Sequence, residues 1–221
     1  GPCAFMDTYN PKTVLSSIDQ FGRYAFSNQP PIPKWNLARF AECLIPLIHK
    51  DENEAIKVAS EMIDNFQNIY EEKWLNMMRD KLGLFGKDQN DQKLINDLLS
   101  WMEINNADYT NTFCNLMNVN IEDKKVYEDQ KFINWVKIWE KRVLMNNNLK
   151  EKSLDLMRNT NPTVIPRNHK VEEALNAASE DNFEIMNKLL NILNKPYSNQ
   201  KNIENYQSLS TDKEYQTFCG T

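Results

Sequence analysis

From Trp35 onward, apolar side chains recur at three- and four-residue steps, and this period constrains the chain more than any other feature. Trp35, Ala38, Ala41, Leu44, Ile45 and Ile48 begin the series, and Pro46 is expected to kink or end the run. Such spacing lines one face of a helix, whereas a strand demands alternation. Asp51 followed by Glu54 has the pattern of a capping box. It predicts a helix over roughly 52–82, striped by Ile56, Ala59, Met62, Ile63, Phe66 and Tyr70, with Gly83 and Gly86 as stop and turn. Leu94, Ile95, Leu98, Leu99 and Met102 mark the next helix, and Phe113, Leu116 and Met117 a short one after Asp108. Phe132, Trp135, Val136, Trp139 and Val143 stripe a helix near 127–145, and Leu154 and Met157 a short one ending before Asn161-Pro162. Val171, Ala174, Leu175 and Ala178 follow Pro166. Asp181 with Glu184 is expected to cap a last helix carrying Phe183, Met186, Leu189, Leu190 and Leu193. Neither a long alternating stretch nor a fixed-period repeat is present, so the fold class is all-α.

The flanks differ. Residues 1–34 hold Pro2, Pro11, Pro30, Pro31 and Pro33 with Gly22 among them, and proline resists helix continuation, so this segment reads as irregular. Its aromatics, Phe5, Tyr9, Phe21, Tyr24 and Phe26, argue that it packs against something rather than serving as a linker. Residues 35–194 form the helical body, and 195–221 an extended polar tail ending YQTFCGT.

The 221 residues suffice for one sizeable core. No apolar run approaches the ~18–20 residues that span a bilayer, so no membrane role is expected. The net charge of −5 and the lack of a basic run interleaved with aromatics argue against nucleic acid. Asn146, Asn147 and Asn148 in a row reflect composition bias, because the asparagines are dispersed among periodic apolar residues. Cys3, Cys43, Cys114 and Cys219 form no C-x-x-C pair and share no ligand spacing with His49 or His169, so no metal site is assigned and a reducing cytoplasm is expected. G-x-G-x-x-G, P-loop, G-x-S-x-G and H-E-x-x-H patterns are all absent. No catalytic or cofactor-binding residue is therefore assigned within the chain. Trp35, Trp135 and Trp139 sit on helical stripes and read as core rather than as a ligand cage. Asp7 and Asp19 could act as base or ligand, but aspartate in a loop more commonly bonds its own backbone. Arg23, between Gly22 and Tyr24, suits either phosphate binding through its planar fork or a structural ion pair.

Three blocks together carry a resemblance: GPCAFMDTYNP, then FGRYAFSNQPPIPKWNLARFAECLIPL, then NPTVIPRNHKVEEAL with a terminal TFCGT. KLGL at Lys81–Leu84 and DYTNTF at Asp108–Phe113 add support in order. The chain resembles the C-terminal part of the selenoprotein O family over nearly its whole length. That resemblance implies a protein-kinase-like fold binding ATP in a flipped orientation, and transfer of AMP to protein hydroxyl side chains. Residues 35–194 would be the helical part of the C-lobe plus the family's C-terminal extension. In the family the opening Gly-Pro follows Asp-Tyr, the counterpart of the kinase metal-binding Asp-Phe-Gly. Gly1 would then be that glycine, with the aspartate, the phosphate-binding Lys and Arg and the catalytic loop upstream.

The resemblance further implies ATP and Mg for the complete enzyme and none bound by this chain. Its partners would be protein substrates and the missing N-terminal part of the kinase-like domain. Residues 1–34 would be the activation-segment equivalent, with Arg23 and Tyr24 on the substrate-facing surface. Many relatives carry a cysteine where this chain has Leu15, which removes one partner of a redox bridge to the tail, although Cys219 there could still be oxidised. A competing expectation is a catalytically inert helical interaction module derived from such an enzyme. In either case an isolated piece should expose the surface that meets the rest of the domain, and so self-associate.

Overall fold

The computed structural model describes residues 5–121, 124–145 and 149–210. Among them are ten α-helices and no strand. The helices are α1 (Pro31–Ile48), α2 (Glu52–Asp64), α3 (Phe66–Lys81), α4 (Asp91–Asn105), α5 (Tyr109–Leu116), α6 (Gln130–Val143), α7 (Lys150–Thr160), α8 (Asn168–Ser179), α9 (Glu184–Leu193) and α10 (Glu204–Gln207). Short 3-10 turns cover Phe26–Asn28 and Lys125–Glu128.

Three boundaries depart from the periodicity, each for a backbone reason. Helix α1 starts at Pro31, because proline at the first helical position gives up only an N–H that would have no partner there. Pro46 lies inside α1, which runs two residues further before ending. The single helix expected over 52–82 is broken at Asn65 (φ −73°, ψ −13°), whose N–H still reaches Glu61 C=O at 3.1 Å. The apolar stripe keeps its phase across a one-residue break, so periodicity does not register it.

Asp51 caps α2 as expected, without the return bond from Glu54 that a full capping box would add, and Asp108, which the spacing does not mark as a cap, caps α5. Asp51 accepts from the N–H groups of Asn53 and Glu54, at 2.9 and 3.1 Å, while the Asp51 N–H donates to His49 Nδ1. Asp108 accepts from Asn111 N–H at 2.8 Å, starting α5. The expected Asp181 cap is displaced: Asp181 takes a positive φ of 59° in the turn between α8 and α9, and Asn182 Oδ1 accepts from Glu184 N–H instead.

The main core lies where α3, α4, α5, α6 and α7 meet. A run of rings, Trp101, Phe132, Trp135 and Trp139, packs through it with centroids 4.4–6.3 Å apart. Each indole N–H finds an acceptor: Asp129 Oδ2 for Trp101, Leu94 C=O for Trp135 and Leu82 C=O for Trp139. Two arginines also enter this region. Arg79 and Arg142 converge on the fully buried Asp91 at 2.6 and 2.7 Å, and Arg142 adds bonds to Phe85 and Gly86 C=O. Burial alone would raise the Asp91 carboxyl, but the hydrogen bonds from Arg142 and Arg79 hold it below the usual range.

Gly83 closes α3 with φ +66°, and a Cβ there would sit 2.6 Å from Ser153 C=O on α7. Only glycine permits both the turn and that approach.

Past Lys195 the sequence pattern dissolves, yet the described part of the tail docks. Thr163 N–H donates to Pro196 C=O at 2.7 Å, Ile203 is buried with Val164 and Ile192, and Gln207 Nε2 donates to Thr163 C=O. Among the described residues no helix is long and apolar enough to cross a membrane.

Candidate functional site

The N-terminal segment is ordered by local chemistry. Asp19 folds its carboxylate back onto the chain, accepting from Arg23 N–H at 2.9 Å and Tyr24 N–H at 2.8 Å, while Gly22 takes φ +66°. It is a turn-former, as aspartate in a loop commonly is. Asn28 and Gln29 side chains donate to Gly22 and Tyr24 C=O, and Phe26 N–H to Thr13 C=O, so the loop closes on itself.

This turn presents Arg23. Its guanidinium carbon lies 5.0 Å from the Trp35 ring centroid and 5.8 Å from that of Tyr24, and Arg39 approaches the same indole at 5.6 Å. Arg39 is also paired with Glu42. Among the described residues no carboxylate lies within ion-pair distance of Arg23. The structure thus brings Arg23 and Tyr24 together with Trp35 in an exposed cation–aromatic cluster, beside Phe21, which is 96% exposed. Trp135 and Trp139 are core, as expected, whereas Trp35 is half-exposed.

The segment is anchored by a residue that the sequence did not flag. Arg167, 1% exposed, follows Pro166 at the start of α8. Its Nη1 donates to Asp7 Oδ1 at 2.8 Å, and its Nη2 donates to Gln207 C=O at 2.8 Å. The same Nη2 is 2.7 Å from Asp108 Oδ2, a close ionic contact rather than a directed hydrogen bond. Asp108 is pushed up to about 6 by burial, against the pull of Arg167. Backbone bonds complete the junction: Tyr9 N–H to Ala107 C=O and Tyr109 N–H to Asp7 C=O, both 2.9 Å, with Tyr9 stacked on Tyr109 at 5.8 Å. One guanidinium therefore joins the N-terminal segment, the start of α5 and the tail. The pairing spans 160 residues and leaves no local signature; its only sequence signal was that Arg167 falls inside the third block.

The remaining candidates separate. Cys219 and Cys3 lie outside the described residues. Cys114 is buried, and burial pushes its thiol up to about 12, so it behaves as a core side chain. Cys43 is exposed on α1. Leu15 is half-buried within the segment. His169 lies beside Arg167; its Nδ1 is buried without a hydrogen-bond partner among the described residues, and burial lowers its pKa. Among the described residues no three His, Cys, Asp or Glu side chains gather to hold a metal ion. The described donor set does not fit a magnesium site.

The family model described as protein adenylyltransferase SelO matches residues 1–194. A protein nucleotidyltransferase YdiU of Pelagibacter ubique is 57% identical over the whole chain, which covers 46% of that relative. Proteins of the same name from Clostridium botulinum and Nitrosococcus oceani are 50% and 47% identical, again over the whole chain, which covers 46% and 45% of them. The chain spans about half the length of these curated relatives. On the family match and these identities, the chain belongs to the protein adenylyltransferase SelO family.

Proposed function

We propose that this chain is the C-terminal portion of a protein adenylyltransferase that transfers AMP from ATP to Ser, Thr or Tyr hydroxyls of proteins. In that reaction the hydroxyl oxygen attacks the α-phosphorus, an O–P bond forms, pyrophosphate leaves, and the hydroxyl proton passes to a base. The nucleotide-binding and catalytic groups, and the magnesium ligands, belong to the remainder of the enzyme. This chain supplies the helical scaffold and, through Arg23 and Tyr24, part of the surface facing the protein substrate. The enzyme works in a reducing cytoplasm, consistent with an exposed free Cys43.

The observation that carries this reading is the bare face of α1. An 18-residue helix bearing Trp35, Leu37, Phe40, Leu44 and Leu47 has no buried residue. With α2 it forms a groove of about 930 Å³, lined by Ala38, Ala41, Ile45, Pro46, Ile56 and Ala59. Val58 and Met62 on α2 are also exposed. An apolar surface of this extent calls for a cover. The remainder of a kinase-like domain would provide one.

The test uses the full-length protein containing this chain, incubated with magnesium and ATP labelled at the α-phosphate. Label on the enzyme itself or on added protein, with an adenylyl mass on a hydroxyl residue, supports the reading. Label from the γ-phosphate alone, or none with nucleotide demonstrably bound, refutes it.

A further inference from the structure

Beneath the N-terminal segment lies a partly open cavity of about 290 Å³, bounded by that segment, the end of α3, α5 and the Asn161-Pro162 turn. Phe5, Met6, Leu15 and Phe26 form its roof, and Phe113 and Ile165 are among the residues beneath. Into this apolar space comes Lys81, from the last turn of α3. Its Nζ lies 4.2 Å from the Phe113 ring centroid and 5.3 Å from that of Tyr109. No carboxylate among the described residues is within ion-pair distance of it. Lys81 is partly buried, and a lysine drawn from water without a counter-charge is uncommon, because desolvating an ammonium is costly. Two ring faces offset part of that cost, but they leave the charge without an anion. Burial lowers the ammonium to about 8, so it remains charged at neutral pH.

A cation on the wall of an apolar cavity is the arrangement of a ligand site, in which the walls take the body and one polar group fixes the head. We propose that this cavity binds a small carboxylate carrying one aromatic ring or a short alkyl chain, with the carboxylate paired to Lys81. The volume, at the lower end for small-molecule sites, limits the tail to about one ring. The surrounding rings favour an aromatic tail through edge and stacked contacts. Because the roof belongs to the N-terminal segment and the floor to the core, an occupant fastens one to the other. The site is independent of adenylyl transfer and holds whether or not that activity does.

The probes are 3-phenylpropionate and its neutral counterpart 3-phenylpropan-1-ol, titrated calorimetrically into the 221-residue chain as wild type, Lys81→Met and Lys81→Arg. A charge-assisted pair in such a site is worth about tenfold or more in affinity. The carboxylate should bind the wild type at least about tenfold tighter than the alcohol, Lys81→Met should lose that preference, and Lys81→Arg should keep it. Binding to the exposed α1–α2 groove would be insensitive to Lys81. In parallel, 3-phenylpropionate should slow acetylation of Lys81 by an amine-reactive ester in the wild type, read by peptide mass mapping, which needs no variant. Absence of carboxylate binding, a preference that survives in Lys81→Met, or unprotected Lys81 overturns the proposal.

Discussion

Arg167→Met removes the guanidinium that anchors the N-terminal segment while keeping much of the stem's apolar volume. In the wild type that group lies 2.8 Å from Asp7, 2.7 Å from Asp108 and 2.8 Å from Gln207 C=O. Arg167 and Asp108 are both buried, so losing the cation leaves a carboxylate uncompensated in a low dielectric, at a cost of about 3–5 kcal/mol. Asp108 can escape part of this by taking up a proton. Its carboxyl already sits at about 6 in the folded protein against an ordinary 3.8. At ~1.4 kcal/mol per unit, its charged form costs the native state ~3 kcal/mol above pH 6. The native state binds this proton more tightly than the unfolded chain, so stability from this group falls as pH rises from about 4 to 6, then levels off.

Without Arg167 the native titration moves higher, and stability keeps falling through pH 7. The expected loss is about 3 kcal/mol at pH 7.5, shrinking to about 1–2 kcal/mol at pH 5. At pH 5 Asp108 is mostly protonated in both folded proteins, and only the Asp7 and Gln207 contacts are lost. Urea denaturation followed by circular dichroism at the two pH values measures both numbers. A loss under about 1 kcal/mol, or one that does not change with pH, would refute the reasoning.

Other substitutions probe separate features. Gly83→Ala should destabilise by about 2 kcal/mol or more, because the methyl meets Ser153 C=O at 2.6 Å in a left-handed conformation. Gly22→Ala, with the same φ but ordinary contacts of 3.6 Å, should cost only about 1–2 kcal/mol, and equal losses in urea titrations would contradict the steric argument. Leu47→Glu and Met62→Glu, at side chains 80% and 71% exposed, should change stability by about 0.5 kcal/mol or less. Both should lower the apparent mass in light scattering at high concentration; a wild type already monodisperse and monomeric would dispose of the bare-face argument. Asp51→Ala should cost about 1 kcal/mol through the lost α2 cap, seen as a lower urea midpoint with unchanged slope.

The helical body was legible because burial imposes a period that every core helix must keep, as the Phe132, Trp135 and Trp139 stripe shows. Turn chemistry was legible where one residue type is required, as at Gly83. Four features were not. The Asn65 break leaves the apolar phase intact, and prolines at a helix start look the same as prolines in a loop. The pairing of Asp7 with Arg167 depends on tertiary docking across 160 residues. Lys81 falls in phase with Ile63 and Tyr70, but spacing alone does not distinguish a cavity wall, which only the segment folded over it creates. At the candidate surface, Asp19 followed the ordinary preference of loop aspartates, while the stacking of Arg23 on Trp35 depended on how its turn meets the first turns of α1.

The most direct test of the central claim is calorimetric titration of Mg-ATP into this 221-residue chain. If the chain is the scaffold and substrate-side half of an adenylyltransferase, with its nucleotide ligands upstream, no binding heat is expected at accessible concentrations. Saturable binding in the micromolar range would place a nucleotide site within the chain and contradict the account.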